Sequence, residues 1–374
     1  MALADRGNLI KRIEGLRGSS VICFLTSLRP NVPGVMAEDS VRVFFDHLAL
    51  LPTRPVEKLD IFLVSNGGSG TVPWRLVSLF REFSKNFGVL LPYRAYSAAS
   101  LLALGADEIV MHPFAELGPI DPTVSNDFNP TEANTGRRLG ISVEDVTAYV
   151  NFIRSTVGIT HEDELVKAIE ILAEKVHPLA LGNVERFISQ SRMIAKKILR
   201  THMKESDEHT IDEIVENMAS KLYFHGHPIN RREAKQDLKL KVNLDLSPDL
   251  EAALWDLYKD YEGEFENLDV FNPAGDLAAA VGQPPPGAGQ PPRGTGQPPP
   301  GAAPAPPAAG QLVATGQPSV QRTYRLVHAM VESARLSSQH TTTRRYELIL
   351  MAQIGQQAVR EDILSQGWSH SPVP

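Results

Sequence analysis

An α/β fold with a largely parallel sheet is predicted for the first 270 residues, and two observations carry it. Short apolar runs rich in β-branched residues recur, "SVICFLTSL", "KLDIFLVSN", "VLLPYRA" and "EIVM". Between them lie amphipathic stretches of helical length, as a chain needs when it crosses over between parallel neighbours.

Taken in order, a helix over Leu9 to Leu16 precedes the strand "SVICFLTSL", and a helix across "AEDSVRVFFDHLALL" follows it. The strand "KLDIFLVSN" runs into the glycine turn "GGSG" and then the helix "VPWRLVSLFREFSKNF". "VLLPYRA" meets the helix "AASLLALGA", and "EIVM" is a further short strand. Beyond residue 140 the pattern is mainly helical, closing on "LKLKVNL" as a last strand.

The composition bounds the function classes. Charged residues make up 22% of the 374, and the net charge of −7 offers no bulk attraction to nucleic acid or to an anionic membrane. The lone cysteine, Cys23, excludes an internal disulfide and reads as a buried, inert thiol. No apolar stretch approaches the roughly 20 residues of a membrane helix, and the charged N-terminal segment lacks a secretory apolar centre, so a cytoplasmic protein is expected.

Three domains are expected: a body over 1–272, a linker over 273–320 and a C-terminal unit over 321–374. From Gly282 the chain reads "GQPPPGA GQPPRGT GQPPPGA", three copies of a seven-residue unit that can bury little apolar area and reads as a spacer. After it, apolar residues at three-to-four spacing in "QRTYRLVHAMVESARLSSQH" and "RRYELILMAQIGQQAVREDILSQ" predict a helical hairpin for docking or self-association.

Sites in open α/β sheets form where the carboxyl ends of strands meet the following helices. One such end is "VSNGGSG", residues 64–70, whose glycines permit positive φ and whose N–H groups can face an oxyanion or a phosphate. It is no Walker loop, since no Gly-Lys-Ser/Thr follows. The other is "AYSAAS", with Ser97 and Ser100 at a strand-to-helix junction. A serine there is commonly an N-cap, yet the same position presents a hydroxyl beside free N–H groups, as acyl transfer requires.

"VSNGGSG", "YSAASLLALGADEIVM" and "LGPIDP" together resemble the Clp-fold serine peptidases: ClpP, signal peptide peptidase SppA and their crotonase relatives. The chain is most similar to the serine dehydrogenase proteinase family, and "VHPLALGNVERF" and "YFHGHPINRREA" extend the likeness over about residues 18–245. The resemblance implies a ClpP/crotonase-like fold, a peptide or protein substrate and a homo-oligomer, with no cofactor. It favours Ser97, ten residues before Asp107, as nucleophile over Ser100, and the N–H groups of Gly67 or Gly68 and of Ala98 as the oxyanion hole. The histidine of a ClpP-type triad is missing, since Ile120-Asp121-Pro122 stands in its place. SppA-like enzymes use a lysine base, for which Lys175 is the candidate, with His177 in the same segment an alternative and a neighbouring subunit another source. Either residue also reads as structural, Lys175 as a solvated helix end and His177 as a residue preceding a proline.

His225 and His227 share a spacing that suits metal on a strand, but no third ligand accompanies them and no metal is expected. His112, His161 and His209 have no evident partner in the sequence, and Arg137-Arg138 reads as a solvated loop pair. Two other functions compete with the peptidase. A crotonase-like acyl-thioester enzyme would keep the oxyanion hole without the serine, and a non-catalytic scaffold would keep only the fold and use its tail to hold a partner.

Overall fold

A computed structural model describes residues 3–120, 123–124, 127–132, 138–221, 227–280, 320–351 and 356–373. The expected α/β alternation is present. Helix α1 (Leu3–Arg17) leads to β1 (Ser20–Thr26), α2 (Asp39–Leu48), β2 (Val56–Val64), α3 (Val72–Phe83) and β3 (Ser84–Leu91). The short β4 (Arg94–Ala95), α4 (Ala98–Ala103), β5 (Glu108–Met111), β6 (Glu116–Leu117) and β7 (Thr123–Val124) follow. A mainly helical excursion comprises β8 (Ile141–Ser142), α5 (Val143–Asn151), α6 (Glu162–Lys175), α7 (Pro178–Leu199) and α8 (Glu208–Glu216). It returns through β9 (Ile229–Asn230), α9 (Arg231–Gln236) and β10 (Val242–Asn243), and α10 (Pro248–Glu264) and α11 (Pro273–Ala280) end the body. The chain closes with β11 (Gln321–Ser333), β12 (Leu336–Met351) and β13 (Gln356–Pro372).

The main sheet has the order β10-β5-β3-β2-β1-β11-β12-β13, parallel from β10 to β1 and antiparallel from there on. Both faces of its parallel part are covered, and the period-two alternation of the strands divides the core accordingly. Ile22 and Phe24 of β1 with Leu59, Ile61 and Leu63 of β2 face α2, α3, α4, α7 and α8. Val21, Cys23 and Leu25 with Phe62 and Val64 face α1 and α10. On the first face Phe24, Phe44 and Phe80 meet edge to face and Phe80 tilts onto Phe87, each pair at 5.2 Å between ring centroids. Such pairs contribute about 0.5–1.5 kcal/mol each beyond area burial. Cys23 is fully buried, and burial pushes its thiol up.

Two expectations need correction. Residues 321–351 and 356–372 form no helical hairpin: their described residues make three long strands that continue the sheet beyond β1. The physical reason is the open edge of β1, whose unpaired backbone groups need a partner, and β11 supplies one from Ile22↔Ser333 to Thr26↔Ala329. The Ser/Thr-rich stretch "LSSQHTTT" suits a pleated strand better than a helix, and tertiary pairing overrides the helical spacing of its flanks. The first residues of the expected linker are also helical, Pro273–Ala280 with Leu277 buried, and the Tyr324 hydroxyl donates to Asp276 at 2.7 Å. The repeat-bearing residues 281–319 lie outside the described residues.

A smaller register difference falls at Ser84. The helical pattern of "SLFREFSKNF" predicts helix to Phe87, but Ser84 is extended (φ −143°, ψ 148°) and pairs with Val56 as the first residue of β3.

Candidate active site

Strands β2 and β3 end side by side, and the chain beyond each makes a turn. Past β2, Ser65 bridges Ala95 in parallel, with Ser65 N–H donating to the Arg94 carbonyl at 3.0 Å and Tyr96 N–H to the Ser65 carbonyl at 2.9 Å. That ladder brings the glycine turn against the serine junction. Gly67 has φ 96°, and a Cβ there would stand 2.6 Å from the Tyr96 carbonyl oxygen, 2.9 Å from Ala98 N and 3.0 Å from the Ser97 Cβ. Gly68 has φ 153°, and a Cβ there would stand 2.3 Å from the Met36 carbonyl oxygen. Both positions therefore require glycine for conformation and for space.

Ser97 adopts φ 52°, ψ −118°, a left-handed conformation that an L-residue adopts only when its surroundings enforce it. Those surroundings are Ser97 N–H donating to the Pro119 carbonyl at 3.1 Å and Ala99 N–H to the Tyr96 carbonyl at 2.9 Å. The Tyr96 hydroxyl donates to Glu116 at 2.6 Å, and its ring leans on Gly118, where a Cβ would come within 2.7 Å of it. Burial and Glu116 push the Tyr96 phenol well above its ordinary range, so it stays a neutral donor. Ser97 precedes α4 but its hydroxyl makes no capping bond.

Ser100 behaves differently. It is 1% exposed, its hydroxyl lies 2.7 Å from both the Ala95 and Gly118 carbonyls, and it accepts from Gly118 N–H at 3.2 Å. With its hydrogen-bonding capacity spent on holding β4 and β6 together, it presents no nucleophile.

Ser97, Ala98 and Gly68 share a cleft of about 240 Å³ with Ser69, Gly70 and Thr71, and Leu101, Ile120, Phe187 and Ile194 make its apolar walls. Gln190 and Ser191 complete the α7 side, Ser191 donating to the Ile120 carbonyl at 2.7 Å. At the rim the Thr71 hydroxyl donates to Glu38 at 2.7 Å; that bond, with the nearby Arg75, holds the Glu38 carboxyl below its usual range. The N–H groups of Gly68 and Ala98 have no hydrogen-bond partner among the described residues, whereas Gly67 N–H donates to Ser65 Oγ at 3.0 Å. The cleft therefore offers a hydroxyl on a strained backbone and two free N–H donors, the components of covalent acyl transfer.

The expected bases lie elsewhere. Lys175 is the exposed last residue of α6, and His177 is exposed at the N-cap of α7, accepting from Leu179 N–H at 3.2 Å and stacking on Phe128 at 4.9 Å. The nearest cleft residue on α7 is Phe187, roughly 15 Å along the helix from His177 at 1.5 Å per residue. No described residue lining the cleft has an ionisable side chain. Asp121 and Pro122, in the place of the ClpP-type histidine turn, lie outside the described residues.

His112, His161, His209, His227 and Arg138 take ordinary positions. His112 stacks on Trp255 at 5.1 Å with burial lowering its basicity, His209 stands 3.8 Å from Glu213, and His161 is the exposed N-cap of α6. His227 pairs with Glu233 at 2.8 Å, Arg138 pairs with Asp127, and His225 and Arg137 lie outside the described residues. Among the described residues no group of three or more His, Cys, Asp or Glu could hold a metal ion, and no helix is long and apolar enough to cross a membrane.

Sequence reasoning found both turns and missed Ser65 and Thr26, whose hydroxyls lie beneath them 2.8 Å apart. Ser65 stands inside "VSNGGSG" and Thr26 inside the strand "SVICFLTSL", but the sequence assigns neither a role, and it is the pairing of β1 with β2 and the bridge from Ser65 to Ala95 that bring them to the site.

No protein-family model matches the sequence. Two uncharacterized proteins of Methanocaldococcus jannaschii are similar to it, one 30% identical over 180 residues and the other 26% identical over 125. The matches span 46% and 31% of this chain and only 60% and 42% of those proteins. Two solved structures of a membrane-bound stomatin-specific protease, 1510-N, one with a substrate peptide, show TM-scores of 0.34 and 0.33 at 12% and 13% identity. They cover 61% of this chain and 81% and 77% of their own, and a likeness at that TM-score bears on neither fold nor activity.

Proposed function

We propose that this chain is a Clp-fold serine peptidase related to the serine dehydrogenase proteinase family, with Ser97 as nucleophile. The observation that carries the reading is the Ser97 backbone, held at φ 52° against Gly67 of the neighbouring turn at the wall of the cleft. A strained, non-glycine residue at a strand-to-helix junction points to function once the strain itself has been observed.

In this reading Ser97 Oγ attacks the carbonyl carbon of the scissile peptide and loses its proton to a base. The oxyanion that forms lies against the N–H groups of Gly68 and Ala98, Gly67 N–H being held by Ser65. Collapse of the tetrahedral intermediate expels the amine, protonated by the same base, and water then cleaves the acyl-serine. Neither Lys175 nor His177 lines the cleft of its own copy, so in this reading the base, Lys175 or His177, comes from a neighbouring copy. A homo-oligomer is thereby part of the proposal.

The absence of an ionisable side chain among the described cleft residues favours a second reading, a non-catalytic scaffold that retains the fold. Fluorophosphonate labelling with peptide mapping separates the two. The peptidase predicts a label on Ser97 that Ser97→Ala removes and Ser100→Ala leaves in place. An unlabelled but folded wild-type chain would favour the scaffold.

A further inference from the structure

We propose that Ser65 and Thr26 are positioning residues of the oxyanion turn, an inference that rests on the hydrolase reading of Ser97. Both side chains are sealed from solvent, Ser65 at 0% and Thr26 at 1% exposure. The Thr26 hydroxyl donates to Ser65 Oγ at 2.8 Å, and Ser65 Oγ accepts Gly67 N–H at 3.0 Å. The backbone of the same serine is bonded to Arg94 and Tyr96, which flank Ala95 and lead into Ser97. One residue thus grips both turns: its side chain holds the glycine turn, and its backbone holds the strand that delivers the nucleophile.

The consequence is a choice between adjacent glycines. An N–H committed to a buried hydroxyl cannot turn to an oxyanion, so Gly67 N–H is withdrawn and Gly68 N–H remains as the donor of this turn. The other side of the turn is fixed by Met36, which donates to the Gly67 carbonyl at 2.7 Å and accepts from Ser69 N–H at 2.8 Å. Gly68 therefore sits between two pinned neighbours. Its N–H can be set before substrate arrives, as oxyanion stabilisation by fixed dipoles requires. Removing Ser65 Oγ frees Gly67 and lets the turn rotate, and misplacement of a donor by about 1 Å is enough to cost on the order of 10²-fold in rate.

The test uses the full chain and variants Ser65→Ala, Thr26→Val and Thr26→Ser, followed by the fluorophosphonate labelling rate at Ser97 and by kcat and KM on a peptide ester. Ser65→Ala is expected to lower the labelling rate and kcat by roughly 10- to 100-fold with KM within about twofold. Thr26→Val is expected to fall by about threefold to tenfold, and Thr26→Ser, which restores the hydroxyl, to return within about twofold of wild type. Melting temperatures report folding separately, and Thr26→Ser covers the case in which Ser65→Ala does not fold. If the wild type labels and Ser65→Ala and Thr26→Val lose only melting temperature, the two hydroxyls are purely structural and the proposal fails. If the wild type does not label, the hydrolase reading falls and this inference falls with it.

Discussion

Ser97 and Ser100 are three residues apart and the chain uses them for opposite ends. Ser97 carries backbone strain and a free hydroxyl, while Ser100 carries none of the strain and bonds β4 to β6 from within the core. Ser100→Ala removes a buried donor from two carbonyls and an acceptor from Gly118 N–H, and is expected to destabilise the fold by about 1–3 kcal/mol. Urea unfolding would read that loss, and labelling at Ser97 in the folded fraction should persist. A variant as stable as wild type would show that the bonds of Ser100 have water substitutes. Spacing within "AYSAAS" leaves both serines available, and what separates them is burial, which depends on β6 and Gly118 arriving from 18 residues further on.

Among the elements, α2 is tied to the C-terminal strands by a buried histidine. His47 is 1% exposed, its Nδ1 3.2 Å from Ser333 Oγ and its Nε2 2.9 Å from Ser338 Oγ, and Ser338 Oγ lies 2.8 Å from Nδ1 of His370. Burial, and secondarily the nearby His370, lowers the pKa of His47 to about 3. A histidine held neutral in the folded state is protonated more readily when unfolded. Its contribution is therefore full above its unfolded pKa near 6.5 and is lost as pH falls from there toward about 3. The slope reaches at most about 1.4 kcal/mol per pH unit. Urea midpoints measured from pH 8 to pH 5 should drop below pH 6.5 in the wild type and stay flatter in His47→Asn. Equal slopes would mean that His47 charges without disturbing the strands. The elements around this contact show how far the sequence could be read. The parallel strands were legible because each is a short apolar run closed by a turn, and the glycine turn and Ser97 were legible because they stand at such ends. The strands β11 to β13 were not, since Tyr324, Val327 and Val331 also fit a helical spacing, and only the open edge of β1 decides between the two. Nor could the sequence show that Lys175 and His177 stand apart from the cleft, because that depends on where α7 crosses it.

On the scale of the whole molecule, the C-terminal strands and the repeat-bearing segment before them call for opposite expectations. The strands are part of the core: Met330 and Val331 are fully buried, and Glu332 stands 2.8 Å from the Arg6 guanidinium and accepts the Tyr261 hydroxyl at 2.7 Å. They also reach the site, because Ser27 N–H donates to the His328 carbonyl at 2.9 Å and Gly34 N–H to the Ser27 carbonyl at 3.2 Å. That chain of bonds leads to Met36 and so to the glycine turn. Truncation after residue 319 would leave Arg6 buried beside Asp260 without Glu332, and β1 with an open edge. Loss of the cooperative melting transition and of labelling at Ser97 is expected. Removing the three seven-residue units at 282–302 touches none of these contacts. The Asp276–Tyr324 bond already brings the two flanks together, so the shorter connection still spans them. That deletion should keep the melting temperature within about 2 °C of wild type and the labelling rate unchanged, since a Pro/Gly-rich repeat can bury little apolar area. Scanning calorimetry and labelling of the two deletions side by side make the comparison. A truncated chain that still melts cooperatively and labels would show that the body folds without its added strands. A repeat deletion that silences labelling would give the segment a part in the site beyond spacing.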